Sequence, residues 1–247
     1  METLVIAAVT LGAGAFRGVT GFGYAMVAAL GLSAAFMAPS ASVPFILFND
    51  LMLTAFILGD RNHGAVDWHA ALLLLASGLV GALCGGWLAV HLDESTARMI
   101  VAGVVMLAAC VALIRNPPIW LANRAIGLGI GFTVGLVLSA FAVGGPLAAA
   151  WLLAGGTQRS HVRGTLAVLF GVIDLFALSS RFFIGTISPD LPDLIVFYAP
   201  LTLAGFAIGH FASRRLSPQA WHRVSSGGLV GIALVGLAQA VHSLATL

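Results

Sequence analysis

Apolar residues run almost unbroken along this chain in blocks of about 20, and the polar positions between them mark where each block ends. Continuous runs of that length predict membrane-crossing helices. Strands of a membrane barrel would alternate polar and apolar at period two. In the first half the pattern predicts helices over 41–59, 68–91 and 96–114. In the second it predicts helices over 162–182, 194–212 and 219–245. Each trio follows a longer apolar element with a break inside it, 4–38 and 122–156. The first break reads Phe16-Arg17-Gly18-Val19-Thr20-Gly21-Phe22-Gly23-Tyr24, an arginine among three glycines. By length, 4–16 supplies about half a span and 24–38 about the other half. Irregular backbone at membrane depth is tolerated only against protein or a watery cavity. A cation there costs roughly 2.5–3.5 kcal/mol to insert, which marks Arg17 as a functional candidate.

The second half echoes the first. Gly14 matches Gly135, Gly23 matches Gly144 and Gly64 matches Gly185, each 121 residues apart; Gly85 matches Gly209 and Leu92 matches Leu216, each 124 apart. The three extra residues fall in the loop from Ser188 to Asp193. The chain therefore divides into a first membrane repeat, 1–116, and a second, 117–247. Loops 115–124, 155–163 and 213–223 carry arginines and no acid, whereas loops 92–97 and 183–193 carry Asp93, Glu94, Asp190 and Asp193. If each broken element re-enters and leaves on one side, all the arginine-only loops fall in the cytoplasm, as the positive-inside rule asks. Three true crossings per repeat then invert the halves relative to each other, a recurrent transporter plan with its site near the midplane. The fold class is thus an all-α polytopic membrane protein of two inverted repeats, each a re-entrant or broken helical hairpin plus three transmembrane helices. The rival topology, eight full crossings with parallel repeats, puts Arg159 and Arg163 outside.

Composition agrees with this class. The chain is 60% hydrophobic and 8% charged, and all 11 of its basic residues are arginines. A soluble domain of this size needs more charge to cover its surface. Cys84 and Cys110 lie inside apolar runs, show no metal spacing and are expected to be small packing residues. Met1-Glu2-Thr3 lacks the basic start of a signal peptide, so the first apolar run is read as part of the fold. Trp68, Trp87, Trp120 and Trp221 fall near expected membrane interfaces. No His-Glu-x-x-His, Gly-x-Ser-x-Gly or P-loop pattern is present, so no enzyme chemistry, cofactor or metal is expected.

The second break, Ser139-Ala140-Phe141-Ala142-Val143-Gly144-Gly145-Pro146-Leu147, suits a helix that starts near Gly145, since proline is at home in a first turn. The first returning half-helix would start near Gly21 or Phe22. Helix N-termini present unbonded N–H groups and a partial positive charge, and two meeting at the midplane form an anion site. Arg17, Thr20, Gly21, Gly23, Asn49, Ser139, Gly144 and Gly145 are the candidate substrate-binding residues. The competing reading is that small residues simply permit close helix packing. Asp50 and Asp174 sit mid-helix on about the same face of equivalent helices. They are candidates for a coupling proton, or structural partners for Arg17 or Arg181. Arg159 and Arg163 form a cytoplasmic vestibule that attracts anions, or topological anchors.

These features resemble the TauE/SafE sulfite exporter family. The likeness rests on Gly21-Phe22-Gly23, Gly144-Gly145-Pro146-Leu147 and Gly64-Ala65-Val66-Asp67-Trp68, and extends over nearly the whole length. The first elbow departs from the family pattern at Phe22 and Tyr24, which stand where small residues are usual. The resemblance implies a secondary transporter that moves sulfite or a short organosulfonate across the bacterial inner membrane without ATP. The alternatives are an anion channel or uniporter on the same scaffold, or a non-transporting membrane subunit. The expected partners are a small anion, the lipid bilayer, a coupling proton and a second copy of the chain; no nucleic acid is expected.

Overall fold

The computed structural model describes residues 2–35, 37–59, 65–93 and 118–216, together with scattered residues within 96–110 and 224–234. The described residues are helical with no strand. Eight α-helices are delimited: α1 (Glu2–Thr20), α2 (Tyr24–Ala34), α3 (Pro39–Gly59), α4 (Trp68–His91), α5 (Arg124–Phe141), α6 (Gly145–Ala154), α7 (Arg159–Ile184) and α8 (Leu191–Ser213). A 3-10 turn, Ile119–Ala122, precedes α5. Six of them, α1, α3, α4, α5, α7 and α8, are long and apolar enough to cross a membrane. The described positions of 96–110 include helix at both ends, while 219–245 lies mostly outside the described residues, as does Trp221.

Local chemistry accounts for the ends. Asp67 caps α4 by accepting from the Ala70 N–H at 3.1 Å, and Asn123 caps α5 by accepting from Ala125 at 2.9 Å. Gly185, at φ 76°, closes α7, with the Thr186 N–H donating to the Arg181 carbonyl at 3.0 Å.

The expectation for 4–16 is corrected. Helix α1 continues through Arg17 and Gly18 to Thr20, 19 residues or about 28 Å, which is a full span and not half of one. The arginine is tolerated inside the helix because its charge is met by Asp50. The break comes later, where Gly21 and Gly23 take φ of 85° and 88°, and α2 starts at Tyr24. In the second element Ala142, 121 residues after Gly21, is at φ 57°, a left-handed residue without glycine's freedom. There α6 starts at Gly145, as expected. Both short helices fold back along their long partners. Gly31 of α2 presses on Val9 of α1, and Trp151 of α6 presses on Gly127 of α5.

Two helix pairs are locked by glycine against backbone. A Cβ on Gly205 or Gly209 of α8 would collide with the carbonyl oxygens of Leu11 and Ala15 on α1. One on Gly81 or Gly85 of α4 would collide with those of Phe132 and Leu136 on α5. The two sets correspond: Leu11 to Phe132 and Ala15 to Leu136 are 121 apart, Gly81 to Gly205 and Gly85 to Gly209 are 124 apart. In lipid, where apolar burial between helices gains little, such close approach of small residues holds helices together. Because the glycine face of α4 is turned to α5, Cys84 points outward. Both Cys84 and Cys110 are exposed, so the expectation that they are packing residues is corrected. Trp68, Trp87 and Trp120 are exposed near helix ends.

The helix ends next to Arg124, Arg163 and Arg214 gather on one face, while Arg181 lies at the far end of α7. The Asp67 N–H donates to Thr165 at 2.9 Å, Thr157 donates to Asp67 at 3.3 Å, and Arg124 contacts His69 at 3.2 Å. The start of α4, the start of α5 and the start of α7 therefore lie together. Arg163 and Arg214 meet the end of α3 around one cavity, which brings the end of α8 to the same face.

Candidate functional site

The two elbows meet. A Cβ on Gly145 would lie 3.5 Å from the Phe22 ring and 4.0 Å from the Gly23 backbone nitrogen. Neither α2 nor α6 has a side-chain cap at its N-terminus. Two uncapped first turns, each with unbonded N–H groups, thus face a common region. Thr20 serves the elbow itself. Its hydroxyl donates to the Phe16 carbonyl at 2.8 Å, and the Phe22 N–H donates to it at 3.3 Å.

Beside this region lies a buried polar cluster. Arg17, in the last turn of α1 and 1% exposed, reaches α3 with both terminal nitrogens. Nη1 pairs with Asp50 Oδ1 at 3.0 Å, and the Asp50 side chain is 2% exposed. Nη2 donates to the Thr54 hydroxyl at 2.6 Å. From α7, the Asp174 carboxyl faces that of Asp50 within hydrogen-bonding reach. Asp174 is 0% exposed, and neither of its oxygens receives a bond from a donor group among the described residues. Two carboxyls can bond one another only through a shared proton, and with both ionised the cluster holds one guanidinium against two negative charges. Tyr24, the first residue of α2, lies within electrostatic range of Arg17 and Asp50, and its hydroxyl is 3.4 Å from that of Thr202 on α8.

The other candidates fall elsewhere. Ser139 is buried with its hydroxyl close to where a Cβ on Gly86 would sit. Its carbonyl accepts from Arg181 Nη2 at 2.8 Å, so Arg181 closes the C-terminal end of α5 instead of pairing with an aspartate. Asn49 donates to the Phe45 carbonyl at 2.8 Å within α3. Arg163 lies over the first elbow, its side chain 2.9 Å from a Cβ on Gly21. The side chain of Arg159 lies outside the described residues. Asp67, from the Gly-Ala-Val-Asp-Trp stretch, is a helix cap. Gly64 of that stretch lies outside the described residues.

With this geometry in view, comparison with known proteins is decisive for the family. Residues 6–237 match the family Sulfite exporter TauE/SafE. The chain belongs to the TauE/SafE sulfite exporter family. This is a family of membrane transporters, and with six helices among the described residues long and apolar enough to cross a membrane the chain is a multi-pass membrane protein. No curated protein and no solved structure matches the chain. Within the TauE/SafE chain, sequence reasoning missed Tyr24, Thr54, His210 and Arg214. Thr54 carried a signal, one helical turn beyond Asp50, as did Tyr24 by its departure from the family pattern and Arg214 by its arginine-only loop. Tyr24, His210 and Arg214 are brought in by the packing of α2 and α8.

Proposed function

We propose that this TauE/SafE protein is a secondary transporter that moves sulfite or a short organosulfonate across the bacterial inner membrane, coupled to a proton. The observation that carries the reading is the meeting of two uncapped helix N-termini beside the Arg17–Asp50–Asp174 cluster. The anion binds between the first turns of α2 and α6, where N–H groups of Gly23, Gly144 and Gly145 converge on its oxygens. Two inverted repeats, 1–116 and 117–247, would bring these termini from opposite sides. The convergence of the arginine-bearing ends on one face, read as cytoplasmic, supports that topology.

Arg17 is the latch in this scheme. While Asp50 is ionised, its carboxylate holds the guanidinium. With one proton shared by the Asp50–Asp174 pair the cluster is neutral; a second proton, which neutralises both carboxyls, removes that competitor and leaves one net positive charge beside the elbows, so proton and anion binding favour each other. Affinity for the anion then falls as pH rises across the titration of the pair. The locked pairs α1–α8 and α4–α5 each join elements of both repeats, so these pairs would be the bodies that move during alternating access.

Proteoliposome flux of sulfite and of a short sulfonate, with and without a pH gradient at clamped voltage, tests the reading. The expected result is flux that follows the pH gradient, and Asp174→Asn that loses this response. Flux indifferent to pH in the native protein would leave a uniporter or channel and return both aspartates to structure. Absence of flux for both anions would overturn the substrate assignment.

A further inference from the structure

A second region of the molecule, separated from the first elbow by the Arg163 side chain, is lined by cationic and aromatic side chains. A cavity of about 300 Å³ lies where the end of α3, the start of α7 and the end of α8 converge. Its lining combines Arg163, His210 and Arg214 with Phe56, Phe206 and Phe211. Phe206 and His210 on α8 and Arg214 just past its end recur every four residues along one face. The His210 ring is held at a fixed angle. It stacks on Phe206 at 5.9 Å and meets Phe211 edge-on at 6.0 Å.

The size and the lining suit an occupant larger than a bare oxyanion. A cavity of this volume equals about ten liquid-water volumes, whereas sulfite has only four heavy atoms. Two arginines and a histidine suit one oxygen-rich anionic head, and three phenylalanines suit an apolar body attached to it. The outer wall is open: Phe56 is 55% exposed and Phe211 63% exposed, at the ends of helices that reach the membrane surface. Basic pockets between transmembrane helices on an arginine-rich face are the setting in which anionic headgroups bind.

We propose that this cavity binds an anionic phospholipid, its phosphate against Arg163 and Arg214 and the start of an acyl chain along Phe56 and Phe211. Because Arg163 also covers Gly21, the bound headgroup sits one side chain away from the first elbow. The lipid therefore helps hold Arg163 in place over the elbow. This inference is independent of the transport reading, since binding can be measured with no gradient and no flux.

The test uses the delipidated full chain in neutral detergent, titrated with short-chain phosphatidylglycerol, short-chain phosphatidylcholine, octanesulfonate and sulfite. Phosphatidylglycerol is expected to bind saturably at one site, at least tenfold tighter than phosphatidylcholine. Arg214→Gln should weaken it at least tenfold. Arg215→Gln, which removes a neighbouring charge outside the cavity lining, should leave it within twofold. Thermal unfolding of both variants checks that they remain folded; if Arg214→Gln does not fold, Phe211→Ala takes its place with the same expectation. Octanesulfonate binding as tightly as phosphatidylglycerol, and displacing it, would overturn the lipid in favour of a soluble amphiphilic anion. Sulfite binding as tightly as either would overturn the need for an apolar body. Equal binding of both phospholipids, or no sensitivity to Arg214→Gln and Phe211→Ala, would overturn the site.

Discussion

Removing Arg17 alone should be far more damaging than removing Arg17 together with Asp50. The pair is 3.0 Å apart with both side chains almost fully buried. With charge centres about 4 Å apart and an effective dielectric near 20, the attraction is about 4 kcal/mol. Arg17→Gln loses that attraction and leaves Asp50 facing Asp174 with no cation beside them. Breaking one partner of a buried pair costs about 3–5 kcal/mol, whereas replacing both partners by neutral groups is often near neutral. The expected cost is therefore about 3–5 kcal/mol for Arg17→Gln and about 1–2 kcal/mol for the double variant with Asp50→Asn, much of the latter from the lost bond to Thr54. The assay is the unfolding free energy of the purified protein in mixed micelles, titrated with a denaturing detergent, for the native chain, both single variants and the double. Additive losses in this cycle, or an Arg17→Gln cost under about 1 kcal/mol, would refute an energetically coupled pair. The latch would fall with it. A folded double variant that no longer carries anion would separate the pair's structural role from its transport role.

Three further outcomes are expected. Gly209→Leu and Gly85→Leu should each destabilise the protein by about 1–3 kcal/mol through overpacking, while Gly129→Leu, which meets nothing within 4 Å, should be close to neutral in the same titration. Ala142→Gly should stabilise by about 1 kcal/mol, because Ala142 is held at φ 57° where glycine carries no Cβ penalty; no gain would mean the elbow's own contacts offset the strain. Cysteines introduced one at a time at Asp190 and Arg215 should be labelled by an impermeant thiol reagent from opposite sides of the membrane in a background lacking Cys84 and Cys110, and same-side labelling would overturn the topology.

The boundaries of the long helices were legible because each is a continuous apolar run closed by polar residues. The run 68–91 and the helix Trp68–His91 coincide, and 41–59 lies within Pro39–Gly59. The two elbows were legible from glycine and proline. The length of α1 was not, because an arginine followed by glycine reads locally as a break. Only the partner on α3 shows that Arg17 belongs inside a helix. The cysteines were misjudged for a related reason: apolar runs of this kind do not reveal which face meets lipid and which meets protein. The glycines that orient α4 do so by contact with α5, a helix about 50 residues away.

The sequence by itself determined the class of the protein. Its apolar period and its arginine-only loops specify a helical membrane protein, because these are properties of local composition and spacing. The family resemblance is equally a property of the linear string. Tertiary structure alone decided which charges meet. Arg17 could have turned to a ligand, to Asp174 or to a membrane interface, and it is the tertiary fold, by bringing α3 within reach of its side chain, that gives it Asp50 and Thr54. Likewise only the packing of α3, α7 and α8 assembles Arg163, His210 and Arg214 around one cavity. The physical reason is the same in both cases. Burial in a low-dielectric interior makes each charge depend on its nearest partner, and nearest partners here are separated by tens of residues along the chain.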